Sequence, residues 1–212
     1  MDRKREEWYT DREFCKGSVL MSSNFYAVLS RMKYITRWSL MRNTQPENIC
    51  EHSYEVAVIA HALALLTNRR FGGRVREDRC VLLALYHDAT EILTGDLPTP
   101  VKYYNPAIRD AYRQVEETAA EKLLSMLPED LRDAYEPVLS ACADEEEARI
   151  VKAADKLSAL IKCVEESRHG NREFDQARIA TEEAVRAMQL PAADCFLEEF
   201  LPAYALTLDE QE

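Results

Sequence analysis

Apolar positions recur at three- and four-residue intervals along most of this chain, the spacing of one face of an α-helix. In "NFYAVLSRMKYI" they fall at Phe25, Val28, Leu29, Met32 and Ile35, which predicts a helix. "EHSYEVAVIAHALALL" is apolar on nearly every side, as suits a central helix. "DRCVLLALYHDATEIL" has the same character and predicts a second buried helix ending near Gly95. "TGDLPTPVKYYNP" reads as a loop, because Pro98 and Pro100 cannot continue a helix. Asn105 followed by Pro106 predicts the cap and first residue of a long helix running towards Leu127, with a shorter one after Pro128. Asp144 is the expected cap of another long helix. Glu145, Glu146 and Glu147 lie in its first turn, where the helix dipole favours acids. Its apolar stripe is Ile150, Val151, Ala154, Leu157, Ser158, Ile161 and Val164, and Gly170 ends it. Residues 174–189 and 193–200 predict two short helices. No stretch alternates as a strand. The expected architecture is all-α, helix packed on helix in one domain over residues 21–212. Residues 1–20 read as an N-terminal extension, because their polar pattern has no apolar face.

Composition agrees with a globular fold: of 212 residues 47% are hydrophobic and 31% charged, and only 5 are glycine. The net charge of −11 disfavours a nucleic-acid polymer as partner, since duplex binding needs a basic face. A small anionic substrate fits if a local cation offsets the field. The six cysteines, at 15, 50, 80, 142, 163 and 195, form no Cys-x-x-Cys pair and read as scattered, mostly buried small hydrophobes in a reducing compartment. No apolar run is long enough to suggest a membrane span, and "MDRKREEWYTDREFCKG" has no hydrophobic segment of a secretory signal. A cytoplasmic protein is expected.

The chemistry lies in ionisable groups on apolar helices. Of four histidines, His52 and His87 occupy the two most apolar segments. Asp88 adjoins His87, and Asp155 adjoins the apolar stripe of its own helix. Burying such groups alone costs several kcal/mol, so each needs a partner. One divalent ion would serve all four, and two imidazoles with two carboxylates suit Mn, Co, Fe or Zn. The plainer reading of each is a hydrogen-bonded core residue. His61 lies nine residues from His52, about 900° around a helix, and faces the other way. His169, beside Gly170, is placed as a favourable charge at a helix end.

The order His…His-Asp…Asp on successive helices resembles the HD-domain superfamily of metal-dependent phosphohydrolases. "LSRMKYITRWSLMRNTQPENICEHS", "LYHDATEILTGDLPTPVKY" and "VKAADKLSALIKCVEE" are similar to its bacterial 5′-deoxynucleotidase branch, a likeness spanning roughly residues 22–208. The resemblance implies an HD-type helical domain that hydrolyses deoxyribonucleoside 5′-monophosphates to deoxynucleoside and phosphate, with little base selectivity. It implies one divalent metal ion held by His52, His87, Asp88 and Asp155. Only His61 and His169 remain for a second metal, and neither is well placed.

By the same resemblance Glu91 positions or deprotonates the attacking water. It follows His87 by four residues, about 400°, so both are expected on nearly one helical face. Asp96 is the implied proton donor to the leaving 5′-oxygen. Arg37 is the implied phosphate clamp, because a guanidinium grips phosphate oxygens in a fixed fork. Trp38 would crowd the 2′ position of the sugar, and Leu97, Pro98 and Thr99 would line the substrate with Asp96. His52, Asp88 and Asp155 would touch substrate as well as metal. Arg42 also matches but is read as structural. A homodimer is implied. Two alternatives stand: a phosphohydrolase of another nucleotide (a ribonucleotide, a triphosphate or an alarmone), and a non-catalytic nucleotide sensor.

Overall fold

The computed structural model describes residues 23–102, 104–140 and 145–211, without the side chains of Thr99 and Glu145. The expectations for the N-terminal extension and the Asp144 cap lie outside the described residues. Among those described, no strand occurs. An isolated antiparallel bridge pairs Thr36 with Asn48.

The first predicted helix divides. Phe25–Leu29 (α1) is α-helical and Ser30–Tyr34 tightens into a 3-10 turn, with Phe25 and Met32 buried. A polar loop leads to α2, Ile49–Arg70. The Asn48 side chain accepts from the Cys50 and Glu51 backbone N–H groups, and Glu51 reaches back to the Asn48 N–H. That reciprocal cap fixes where α2 begins. By length and apolar composition α2 could cross a membrane, but more than half of its most apolar stretch is buried inside the fold. It serves as a core helix here.

The second predicted helix is interrupted at the residues of interest. Glu77–Tyr86 (α3) ends before His87, residues 87–90 form a turn, and Glu91–Thr94 (α4) resumes. Through the turn, backbone N–H groups reach back three residues: Ala89 to Tyr86, Glu91 to Asp88 and Leu93 to Thr90. Such bonds give about three residues per turn, so the 3.6-residue spacing expected between His87 and Glu91 does not apply. Gly95 closes α4 at φ +74°, a left-handed conformation that favours glycine. The predicted loop after it also holds a helical turn, Thr99–Lys102 (α5). Pro98 precedes that turn and Pro100 lies inside its first turn, where a missing N–H removes no helical bond. The Val101 and Lys102 N–H groups both donate to the Pro98 carbonyl.

The remaining helices are α6 (Pro106–Ser125), α7 (Glu129–Leu139), α8 (Glu145–Arg168), α9 (Asp175–Arg186) and α10 (Pro191–Glu199). Asn105 caps α6 as expected, accepting from the Ile108 N–H at 2.9 Å. The core is built around α2 and α8, with α3 and α10 against α2 and α9 against α8. Val56, Ile59, Ala60 and Leu63 of α2 meet Ile150, Ala154, Leu157 and Ile161 of α8 in one apolar cluster. The four described cysteines outside residues 1–22 are free thiols; Cys80 and Cys163 are buried, whereas Cys50 is exposed on the first turn of α2.

Candidate functional site

Side chains from α2, the α3–α4 turn and α8 bring ionisable groups to one point. His52, on the buried face of α2, has no exposed surface. Its Nε2 lies 3.1 Å from Asp155 Oδ1 and 3.5 Å from Asp88 Oδ2. His87 Nε2 lies 3.2 Å from the same Asp88 oxygen, and its Nδ1 faces the Ala84 carbonyl at 2.7 Å. The break in the helix lets His87 and Asp88, adjacent in sequence, face the same centre.

Charge sharpens the cluster. Burial alone would lower the His87 pKa, but the Asp88 carboxylate overrides it and raises the imidazole to about 9. Burial opposes ionisation of Asp88, yet His87, His52 and Arg37 hold its carboxyl well below the usual range. His52 is raised despite burial by its contacts with Asp155 and Glu47. Asp155 is lowered against burial by His52 and His87.

The residues present fit a divalent cation. Ligating atoms of His52, His87 and Asp155 all lie within 4.8 Å of one another. Buried His87 Nε2 has no well-formed hydrogen bond. Two imidazole nitrogens and a carboxylate oxygen are a donor set for a borderline transition ion.

Arg37 and Trp38 approach from the loop before α2. Arg37 Nη1 is 3.4 Å from Asp88 Oδ2, and Nε is 3.4 Å from Glu47 Oε2. The Trp38 indole N–H donates to Glu47 Oε2 at 2.6 Å, and its ring packs on Phe174 at 5.3 Å between centroids. Trp38 sits at φ +58°, a left-handed conformation rare for a bulky residue. The Arg37 N–H bonded to the Glu47 carbonyl, together with the Thr36–Asn48 bridge, holds it there.

Glu91 is 6% exposed, and its Oε2 has no hydrogen-bond partner among the described residues. Burial, then the charges of Asp88 and Asp96, pushes its carboxyl up to about 9. Asp96 is half-buried in the turn after Gly95. Its pKa is raised by burial and Asp88, with Arg37 acting against them. Leu97 and Pro98 are half-buried beside it, and Thr99 opens α5, its side chain lying outside the described residues. His61 is exposed on α2, and His169 is exposed past the end of α8, consistent with their structural reading. The Arg42 side chain is 93% exposed, with Nε 3.5 Å from Glu173.

Sequence reasoning passed over Glu47, which gathers Arg37, Trp38 and His52 Nδ1, the last at 3.6 Å. It placed Ser158 in an apolar stripe without asking what a hydroxyl does there. It passed over Glu166, which is 1% exposed and accepts from Thr44, Gln45, Lys162 and Asn171, tying the loop before α2 to α8. Glu166 follows Lys162 by four residues, and that ion-pair spacing on α8 was the available signal for it; nothing local marked Glu47 in its loop.

The sequence profile of the YfbR-like 5′-deoxynucleotidases matches residues 24–204. A 5′-deoxynucleotidase from Vibrio atlanticus is 50% identical over 192 residues, covering 90% of this chain and 99% of that protein. The 5′-deoxynucleotidase YfbR of Escherichia coli is also 50% identical over 192 residues, 90% of this chain and 96% of that protein. The crystal structure of an HD-domain phosphohydrolase from Listeria innocua superposes with a TM-score of 0.76 at 25% identity, covering 89% of this chain and 91% of that one. The helical fold is therefore an HD-domain fold, and by the extent of these matches the chain belongs to the YfbR-like 5′-deoxynucleotidase family.

Proposed function

We infer that this protein is a metal-dependent 5′-deoxynucleotidase, hydrolysing deoxyribonucleoside 5′-monophosphates to deoxynucleoside and phosphate at the centre between α2, the α3–α4 turn and α8. The observation that carries the reading is the convergence of His52, His87 and Asp155 in a chain half identical to 5′-deoxynucleotidases. His52, His87, Asp88 and Asp155 would hold one divalent ion, which supplies Lewis-acid polarisation of a phosphoryl oxygen and a more acidic water.

The chain's own groups account for the remaining work. Arg37 clamps the phosphate, exchanging part of its contact with Asp88 and Glu47 for phosphoryl oxygens; this is the local cation an acidic protein needs. Water oxygen attacks phosphorus, the bond from phosphorus to the 5′-oxygen breaks, and two protons must move. Glu91 takes the proton from the attacking water. The negative field that raises Glu91 comes partly from Asp88, so a cation bound at Asp88 weakens it. Asp96, also raised, gives a proton to the leaving 5′-oxygen. Trp38, held rigidly between Glu47 and Phe174, crowds the 2′ position, while Asp96, Leu97, Pro98 and Thr99 line the nucleoside. A 2′-hydroxyl there would meet an aromatic wall and lose its water. We place the enzyme in the cytoplasm as a homodimer, free of membranes and nucleic-acid polymers.

Phosphate release from dAMP and AMP tests this, with stripped protein re-supplied with Co, Mn, Zn or Mg. Metal-dependent release from dAMP, with AMP much slower, is expected. Equal release from both would discard the sugar selectivity. Release from neither would overturn the reading in favour of another nucleotide or a sensor.

A further inference from the structure

His52 has a second set of contacts through its other ring nitrogen, running from the buried Ser158 to the half-buried Glu55. Its Nδ1 is 3.1 Å from Ser158 Oγ, and the Ser158 hydroxyl donates to Glu55 Oε2 at 2.5 Å. His52 and Ser158 have no exposed surface. Glu55 follows His52 by three residues on α2, and Ser158 follows Asp155 by three on α8. The two helices therefore carry paired rungs, His52 to Asp155 and Glu55 to Ser158, one helical turn apart.

We infer that Ser158 and Glu55 form a positioning chain that keeps the N–H of His52 on Nδ1 and leaves Nε2 to bind the cation. A serine hydroxyl has one hydrogen and can also accept. With that hydrogen given to Glu55, Ser158 Oγ is an acceptor, so His52 Nδ1 must donate. Nε2, facing Asp155 and Asp88, is then the nitrogen whose lone pair becomes available to a metal. Without Glu55 the hydroxyl is free to turn and donate to Nδ1. The neutral ring would then carry its proton on Nε2, the nitrogen the cation needs. Neither residue touches substrate, so both act through His52. Glu47 Oε1, 3.6 Å from Nδ1, is a longer second acceptor on the same side of the ring and favours the same tautomer, while Trp38 holds the other oxygen of that carboxylate. The inference rests on the metal reading of His52.

Zn2+ binding by calorimetry to metal-free wild type, Ser158→Ala, Glu55→Leu and the double variant tests it. Each single variant should lose roughly 10- to 100-fold in Zn2+ affinity, the usual effect of removing a group that orients a ligating histidine. The double variant should lose no more than the weaker binder of the two singles, because the chain acts as a unit. Ser158→Thr, which keeps the hydroxyl, should restore binding. In the Zn2+-loaded protein the His52 Nδ1–H resonance should be slow to exchange in wild type and lost in Ser158→Ala. Wild-type affinity in folded Ser158→Ala, or losses that add in the double variant, would overturn the chain while leaving the metal site standing. Absence of Zn2+ binding by wild type would overturn the metal reading itself and this inference with it. A purely structural role would lower thermal stability in all variants without changing affinity.

Discussion

Two polar clusters sit on α8, and they are finished differently. At Glu166 every group has a partner: its carboxylate accepts from the Thr44 N–H and hydroxyl, the Gln45 N–H, Lys162 Nζ and Asn171 Nδ2. Lys162 also donates to the Gln45 carbonyl. At Asp155, eleven residues and about 16 Å earlier on the helix, the partners are mutual but incomplete. His87 Nε2, Glu91 Oε2 and Arg37 Nε are buried without a well-formed hydrogen bond. A closed network orders a loop. An open one, built from ligating and proton-bearing groups, is completed by something the chain does not supply. Buried polar groups are normally satisfied, so the orphans mark function more reliably than burial does.

The comparison breaks first at Asp155. Asp155→Ala should bind metal far more weakly and lose about 1000-fold or more in turnover, since several kcal/mol of charge stabilisation go with the ion. Metal content and phosphate release read both; full metal occupancy would remove Asp155 from the ligand set. Glu91→Gln should keep metal and fold but slow kcat at least ~100-fold, the range for a group that moves a proton. Its stability should hold or rise, because a buried carboxyl raised to about 9 no longer has to be accommodated. Turnover at the wild-type rate would refute the role.

Glu166 should behave in the opposite way. Glu166→Ala strands the Lys162 ammonium in the core and should cost about 3–5 kcal/mol, or a Tm drop of about 10 °C. Metal affinity should change little. The pH dependence follows from its carboxyl being held below the usual range by Lys162, Asn171 and Thr44 against burial. A depressed folded-state pKa contributes stability above the unfolded value of about 4.3 and loses it as pH falls through the folded one. The gap between wild type and Glu166→Ala in thermal melts should therefore be full at pH 7 and narrow on going below about pH 4. A constant gap would show that packing, not the charge, is what is lost. The smallest effect expected is at Trp38. Trp38→Ala should reduce the ratio of kcat/KM for dAMP over AMP by about 10-fold, within the 1–3 kcal/mol that one buried contact supplies, with metal binding intact. An unchanged ratio would place sugar selectivity elsewhere.

Much of this was visible in the chain. The periodicity predicted α2, α6 to α10 and, among the described residues, the absence of strands, and Asn105-Pro106 marked the start of α6. His52, His87, Asp88 and Asp155 stood out as ionisable groups on apolar segments, and the structure brings them together. The break at His87 was not visible, because helix and 3-10 turn share the same apolar composition and differ only in which carbonyl each N–H reaches. The turn at α5 was hidden by prolines that stop a helix inside but not at its start.

What the sequence by itself determined is what local chemistry determines. Apolar spacing fixes which face of each helix is buried, caps fix where α2 and α6 begin, and the ligand types limit the metal. Tertiary structure decided what those residues meet. That α2 and α8 lie in register, so that His52 faces Asp155 and Glu55 faces Ser158, depends on contacts between residues 103 apart. So does the loop before α2, where the left-handed Trp38 packs between Glu47 and Phe174 and the Glu166 carboxylate ties Thr44 to α8. Spacing along a helix defines directions, but only packing defines which groups those directions bring within a hydrogen bond of one another.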